Sequence, residues 1–191
     1  MADVGVRPAR VEDAATIADI QVRAWRSGYA GVVPTPALAA MTTPEAQAVW
    51  QERWAEAVTA PPSPRHRLLV AVQRHTMTDD TVLGFAAQTP AADADCDPAT
   101  AAELLTLLVD PMAGRAGHGS RLLAATVDLV REDAVARMVT WVFPGDRAMR
   151  GFLEPAGWAE DGARRQLDLG EPVPMIRLHT DLTDDPATGG T

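Results

Sequence analysis

Residues 109–123 read VDPMAGRAGHGSRLL. Glycines stand at Gly114, Gly117 and Gly119, with Arg115 and His118 between them. An apolar run precedes the stretch and a helical pattern follows it. A glycine-rich turn lets backbone N–H groups converge, because glycine tolerates positive φ and close backbone approach. The N-terminus of the following helix adds partial positive charge. The chemistry on offer is therefore anion binding, a pyrophosphate above all. The same glycines would also serve a plain strand-to-helix turn. Two known phosphate loops do not fit. A Walker A loop, G-x-x-x-x-G-K-[ST], matches Gly114 and Gly119 but meets Ser120 where its lysine belongs. A dinucleotide fingerprint, G-x-G-x-x-G, matches Gly117 and Gly119 and fails at Leu122. The loop also follows a late strand, not the first of a dinucleotide-binding unit.

Other reactive side chains exclude more than they offer. All seventeen basic residues are arginine, which removes Schiff-base chemistry and P-loop lysines. The one cysteine, Cys96, sits in DADCDP. Acidic neighbours raise a thiol pKa, so a nucleophilic role is not expected. Alone, Cys96 makes neither an internal disulfide nor a thiolate zinc cluster. His66, His75 and His179 have no metal-ligand spacing to a His, Asp or Glu, and no metal is expected. The net charge of −9 argues against a nucleic-acid surface. It is compatible with a cationic substrate.

These residues need a scaffold, and 191 residues suit one domain with a real core. Hydrophobic residues make up 47% and charged residues 23%, as in soluble globular proteins. No apolar run approaches the roughly 18 to 20 residues of a membrane helix. The start, MADVGVRPARVEDA, lacks the apolar segment of a signal peptide. With the lone cysteine, this fits a reducing cytoplasm.

The alternation of VGVRPAR predicts a first strand over 4–10. Asp13 is placed to cap a helix over about 14–29. GYAGVVPTP breaks it. A second helix is expected from near Pro36, resuming after Pro44 to about Ala60, with Val49, Trp50 and Trp54 on an aromatic face. RLLVAVQR (67–74) and TVLGFAAQ (81–88) read as a hairpin. TPAADADCDPAT reads as an exposed, mobile acidic excursion. ELLTLLVDP is a strand to Val109, followed by a helix over about 117–133 with Leu122, Leu123, Val127 and Val130 inward. ARMVTWVFP is a strand, Asp146 caps a short helix to about Pro155, GWAEDG is a turn, and VPMIRLHTDL is a late strand. The fold class is α/β (α+β) with a mixed sheet, its strand–helix–strand unit around the glycine loop parallel. One domain is expected over 1–183, with a disordered tail over 184–191.

The stretch ELLTLLVDPMAGRAGHGSRLLAATVDLV resembles the central motif of the GNAT superfamily of N-acetyltransferases. That motif is a strand ending in V-x-P, an R/Q-x-x-G-x-G/A loop and a helix opening with paired aliphatics. Val109, Pro111, Gly117, Gly119, Leu122 and Leu123 match. Gly114 stands where the family has Arg or Gln, with Arg115 one residue on. DRAMRGFLEPAGWAEDG resembles the family's N-x-x-A-x-x-F-Y-x-x-x-G-F segment through Asp146, Phe152, Gly157 and Trp158. Met149 replaces the alanine and Leu153 the tyrosine. AWRSGYAGVVP is similar to a W-x-x-x-Y-x-G-x-x-P segment of bacterial members, where the first helix and loop face the acceptor. The resemblance covers about residues 4 to 183. It implies a GNAT fold with a mixed sheet of about six to seven strands, two N-terminal helices, a coenzyme-binding βαβ unit and a C-terminal α–β segment.

It also implies acetyl-CoA as co-substrate. Its pyrophosphate would lie over Arg115, Ala116, Gly117, His118, Gly119 and Ser120. The pantetheine arm would pair with the backbone of Leu107, Leu108 and Val109, where the family splays its sheet at a bulge. Asp146, Met149 and Phe152 would line the coenzyme's side. The acceptor amine attacks the acetyl group directly, needing a base and a donor for the thioester oxygen. Glu103 is the expected base and the Val109 N–H the expected donor. Trp25, Tyr29 and Trp141 are candidates for the acceptor pocket, with core packing the competing role for both tryptophans. Leu153 cannot act as the acid that many members place there. The expected reaction is acetyl transfer to a primary amine of a small molecule or peptide. The other reading is an acyl-CoA-binding GNAT protein that has lost turnover and senses or regulates. The resemblance leaves room for a homodimer.

Overall fold

The computed structural model describes residues 3–76 and 79–182 of the chain. β1 (Asp3–Pro8) leads into α1 (Ala14–Gly28). Then come α2 (Thr35–Met41), α3 (Pro44–Thr59), β2 (Arg67–Arg74), β3 (Asp80–Pro90) and β4 (Ala101–Val109). α4 (His118–Glu132), β5 (Arg137–Val142), α5 (Arg147–Leu153), β6 (Ala159–Asp168) and β7 (Pro172–Asp181) complete it. The strands form one seven-stranded sheet in the order β1-β2-β3-β4-β5-β7-β6. Among the described strand pairs of the sheet, β4–β5 alone is parallel, as expected of the two strands joined through α4. The expected α/β class with a mixed sheet is what the structure has. Among the described residues, no helix is long and apolar enough to cross a membrane.

The sheet is a middle layer. Leu69, Ala71, Leu104, Leu107, Met138 and Leu178 face one side, where Leu122, Leu123 and Val130 of α4 cover them. Leu68, Val70, Val72 and Phe85 face the other, against Ile17 and Ile20 of α1 and Trp54 of α3. Burial on both faces explains the unbroken apolar run of β2, since a covered strand does not alternate.

Several expectations need correcting. The N-terminal region has three helices, because Thr42 and Thr43 separate α2 from α3. The Thr43 side chain caps α3 by accepting from Ala46 N at 3.1 Å. Val49 is exposed and does not join the Trp50–Trp54 face. β6 runs through part of the segment read as a turn. It is an edge strand with almost no buried residues, so no apolar alternation announced it. The acidic excursion is tied down: Asp93 accepts from Trp141 Nε1 and from Arg177, and Ala91 is buried. The tail at 184–191 lies outside the described residues.

Gly84 sets how closely β3 and β4 approach. A Cβ there would sit 2.8 Å from the Leu108 carbonyl oxygen and 3.2 Å from Val109 Cα. Backbone cannot move aside as a flexible side chain can, so Gly84→Ala must shift β4. The expected cost is about 1–3 kcal/mol, read as a lower denaturation midpoint in urea at unchanged slope.

Candidate active site

β4 leaves its neighbour partway along. It pairs with β5 only at Ala101–Arg137, Ala102–Met138 and Glu103–Val139. At the point of separation, Thr140 Oγ1 donates to the Leu104 carbonyl at 2.7 Å, where the ladder would otherwise have used a backbone N–H. On the β3 side the register changes from Ala87–Thr106 to Gln88–Leu104. That leaves Leu105 without a partner, a β-bulge that bends the strand. Leu105 is 51% exposed.

The bulge and the divergence free part of the backbone. Asp110 N donates to Leu83 O at 2.8 Å, and Gly84 opposes Val109. In an antiparallel ladder, hydrogen-bonded and non-bonded pairs alternate. Leu108 therefore faces β3, while Leu107 and Val109 turn their N–H and C=O groups toward the gap β5 has left. The gap is a cleft lined by Leu104 to Leu107 and by Tyr29, Thr140, Trp141, Phe143, Asp146, Met149 and Met175. It can take an extended chain that hydrogen-bonds like a strand.

The glycine loop approaches Leu107, which lines the cleft, through Gly119. Arg115 has φ 65° and Gly117 φ 77°. Left-handed residues in such a turn gather N–H groups into an anion-binding concavity. Gly117 is the N-cap of α4, whose first N–H groups have no intrahelical acceptor. The first helical bond at the loop runs from Arg121 N to Gly117 O at 3.1 Å, so the N–H groups before it point out of the end of α4. The arrangement suits an anion at the helix N-terminus. Arg115 is exposed. The cation that folds over the loop is Arg121, whose guanidinium donates to Ala116 O at 2.8 Å. The sequence reading missed it, although a residue four beyond Gly117 returns to the same side of the helix. His118 differs from an exposed loop residue: it is 5% exposed, with Nδ1 buried and unpartnered. Burial, with Arg121 beside it, pushes its pKa down, so it is neutral at physiological pH.

The later motif closes the same corner. Asp146 Oδ1 accepts from Met149 N at 2.9 Å and caps α5. Phe152 lies against the loop: a Cβ on Gly119 would stand 3.5 Å from its ring and 3.7 Å from Leu107. Leu153 is fully buried in the α4-side core with Trp158, so position 153 contributes packing.

Of the other predicted residues, Tyr29 and Trp141 line the cleft, while Glu103 and Trp25 stand outside its lining. Glu103 is 8% exposed and has no hydrogen-bond partner among the described residues. Burial, then the charge of Asp93, raises its pKa, while Arg165 and Arg177 pull it back. Tyr29 lines the cleft, packed edge-on against Phe143. Burial, and secondarily Asp146, pushes its phenol up to about 12, so it remains a donor through the neutral range. Trp25 stacks on Tyr29 and meets Trp50 edge-on, outside the lining residues. Trp141 lines the cleft between two arginines: Arg165 lies 4.4 Å and Arg177 5.6 Å from its ring centre. Arg177 is buried and bonded to Asp93, Asp95 and Asp161. Asp93, Asp95 and Cys96 bring ligand atoms within 4.8 Å of one another, with both carboxylates committed to Arg177.

The structure is similar to several solved acetyltransferases. PaiA N-acetyltransferase from Thermoplasma acidophilum, in complex with coenzyme A, gives a TM-score of 0.70 at 18% identity, over 94% of this chain and 99% of that one. YncA from Salmonella typhimurium, with its cofactor acetyl-CoA, gives 0.63 at 18% identity over 100% of both chains. The ribosomal-protein-alanine N-acetyltransferase from Brucella melitensis gives 0.64 at 20% identity, over 92% of this chain and 98% of that one. At such identities the likeness is one of fold. No curated protein sequence matches the chain. The family profile, however, matches residues 35–158, from α2 through the glycine loop to the end of the second motif, and the chain belongs to the acetyltransferase (GNAT) family.

Proposed function

We propose that the protein is an N-acetyltransferase that moves an acetyl group from acetyl-CoA to a primary amine of a small molecule or peptide. The observation that carries this is the continuity of the site. Leu107 lines the cleft and approaches the glycine loop at Gly119, and the strand that carries it also carries the nearly buried Glu103 carboxylate just before the cleft begins. The residues fit the coenzyme. The N–H groups from Arg115 to Ser120, with Arg121 over them, suit a pyrophosphate. The backbone of Leu107 and Val109 suits the amides of a pantetheine arm, beside Met149 and Phe152.

Acetyl-CoA supplies an acetyl thioester when bound. Each remaining task falls to a residue of this chain. The Val109 N–H, turned into the cleft, donates to the thioester oxygen as negative charge develops there. Glu103, directly or through water, takes the proton that the amine sheds as its nitrogen bonds to the acetyl carbon and the carbon–sulfur bond breaks. The departing thiolate is protonated from water. Tyr29 and Trp141 wall the acceptor side. The amine attacks directly, so no protein nucleophile has a part.

The second reading, a coenzyme-binding protein without turnover, is favoured by Leu153 in place of the family's tyrosine. A free-thiol release assay with acetyl-CoA and a panel of amines separates the two. Amine-dependent release is expected. A rise in Tm with CoA but no release by any amine would show binding without turnover, and no response to CoA at all would defeat both.

A further inference from the structure

Beside the acceptor wall, Arg165 stands out among the described residues as a cation stacked on an aromatic ring with no carboxylate at salt-bridge distance. Arg177 is saturated by three carboxylates, Arg150 pairs with Glu154 and Glu160, and Arg164 with Glu160. Arg165, on β6 between these groups, has no carboxylate within salt-bridge distance among the described residues. Its guanidinium instead lies over the Trp141 ring at 4.4 Å. Stacking of this kind fixes the plane of the guanidinium and leaves its edge N–H groups free for a planar oxyanion. In a chain of net charge −9, an unneutralised arginine on an aromatic wall is a specific placement.

Arg165 also shares a face of the sheet with the expected base. Trp141 lies two residues beyond Val139, the β5 partner of Glu103. Partners across a ladder and residues two apart along a strand project on one side. Strand spacing and rise put the Cα atoms of Glu103 and Trp141 about 8 Å apart. Across that distance stand a nearly buried carboxylate with no hydrogen bond among the described residues and a stacked guanidinium with no carboxylate at salt-bridge distance. Both await a partner, and their charges are opposite.

We propose that the acceptor is a small zwitterion, an amine that also bears a carboxylate, with Arg165 holding the carboxylate while Glu103 receives the amine. The idea rests on the acetyltransferase reading and assigns its substrate class. A bidentate guanidinium–carboxylate contact gives orientation as well as affinity, and it would aim the amine at the mouth of the cleft. Arg165 here is a binding residue and takes no proton.

The test uses two matched sets at different spans: leucine, leucinamide and 3-methylbutylamine, and 6-aminohexanoate, 6-aminohexanamide and hexylamine. Each compound is assayed for thiol release with acetyl-CoA and for a thermal shift without it, on wild type, Arg165→Gln and Arg165→Lys. In at least one set the carboxylate compound is expected to surpass its neutral relatives by about 10- to 100-fold in kcat/KM, mostly through KM. Arg165→Gln should erase that preference and Arg165→Lys restore part of it. The same carboxylate compound should raise the Tm of wild type and not of Arg165→Gln, while CoA shifts both. Neutral amines used equally well, or a carboxylate preference that survives in Arg165→Gln, overturn the proposal and leave acetyl transfer standing. No thiol release, with a carboxylate-dependent shift lost in Arg165→Gln, defeats turnover and supports the zwitterion site. Neither release nor shift from any compound overturns both.

Discussion

Glu103→Gln is expected to lower kcat for amine acetylation by about 100- to 10,000-fold, with coenzyme affinity little changed. Glutamine keeps the shape and a hydrogen-bonding amide but accepts no proton. The pH profile adds a sign that a structural role would not produce. Glu103 must be ionised to act as a base, and burial beside Asp93 raises its pKa. The acid limb of kcat/KM in wild type should therefore lie above the ordinary value of 4.5. In the variant the limb assigned to this group should disappear. Stability runs the other way. A carboxyl whose folded-state pKa is raised binds its proton more tightly in the folded chain. Wild-type stability thus falls as pH rises from the unfolded value through the folded one. Above that window the buried charge is a standing penalty, which glutamine removes. Glu103→Gln at neutral pH is expected to melt at or above the wild-type temperature while losing its rate. A comparable loss of Tm and activity together would assign Glu103 to the fold.

The sequence made the coenzyme side of this site legible and left much of the acceptor side hidden, for a physical reason. Gly117, Gly119, Asp146 and Phe152 belong to short segments in which backbone conformation, a helix cap or a local contact dictates the residue. The glycine loop could be read because Gly117 needs a left-handed φ and because Gly119 faces Phe152 and Leu107 closely. The bulge at Leu105 left no mark, since TLLV is equally good as a regular buried strand, and only the register with β3 reveals the extra residue. β6 escaped because an exposed edge strand carries no apolar alternation. The role of the 91–100 segment escaped because its partner, Arg177, lies more than eighty residues away in β7. DADCD looks like solvated loop until that guanidinium is beside it. Arg165 and Trp141 form another such pair, on different strands of the sheet.

The Arg177 cluster carries the largest stability effect. Arg177 is 5% exposed and donates to Asp93, Asp95 and Asp161, at 2.9, 2.5 and 2.7 Å. Asp161 is itself buried to a similar degree, at 8%. Removing Arg177 leaves the nearly buried Asp161 with the longer contact to Arg137 at 3.5 Å, while the exposed Asp95 returns to water. Arg177→Met is therefore expected to cost about 3–5 kcal/mol, or a fall in Tm of about 10 °C for a chain this size. The effect depends on pH with a fixed sign. Arg177 holds the Asp95 carboxyl down at about 2, against an ordinary 3.8. A carboxyl lowered in the folded state contributes stability that is present above its unfolded value and lost as pH falls through the folded one. The gap between wild type and Arg177→Met should accordingly narrow as pH drops from about 4 toward about 2, because the orphaned acids take up protons. Restoring neutrality offers a second check. Adding Asp161→Asn to Arg177→Met removes the most buried of the three charges that Arg177 held, and the double variant should recover part of the lost Tm. If Arg177→Met melts within a degree or two of wild type at neutral pH, the cluster contributes little to the fold. Trp141 gives the effect a functional reach, since its indole N–H donates to the same Asp93 that Arg177 holds. Loosening Asp93 frees one wall of the acceptor mouth, so the surviving folded fraction of Arg177→Met should show a raised KM for the amine and an unchanged KM for acetyl-CoA.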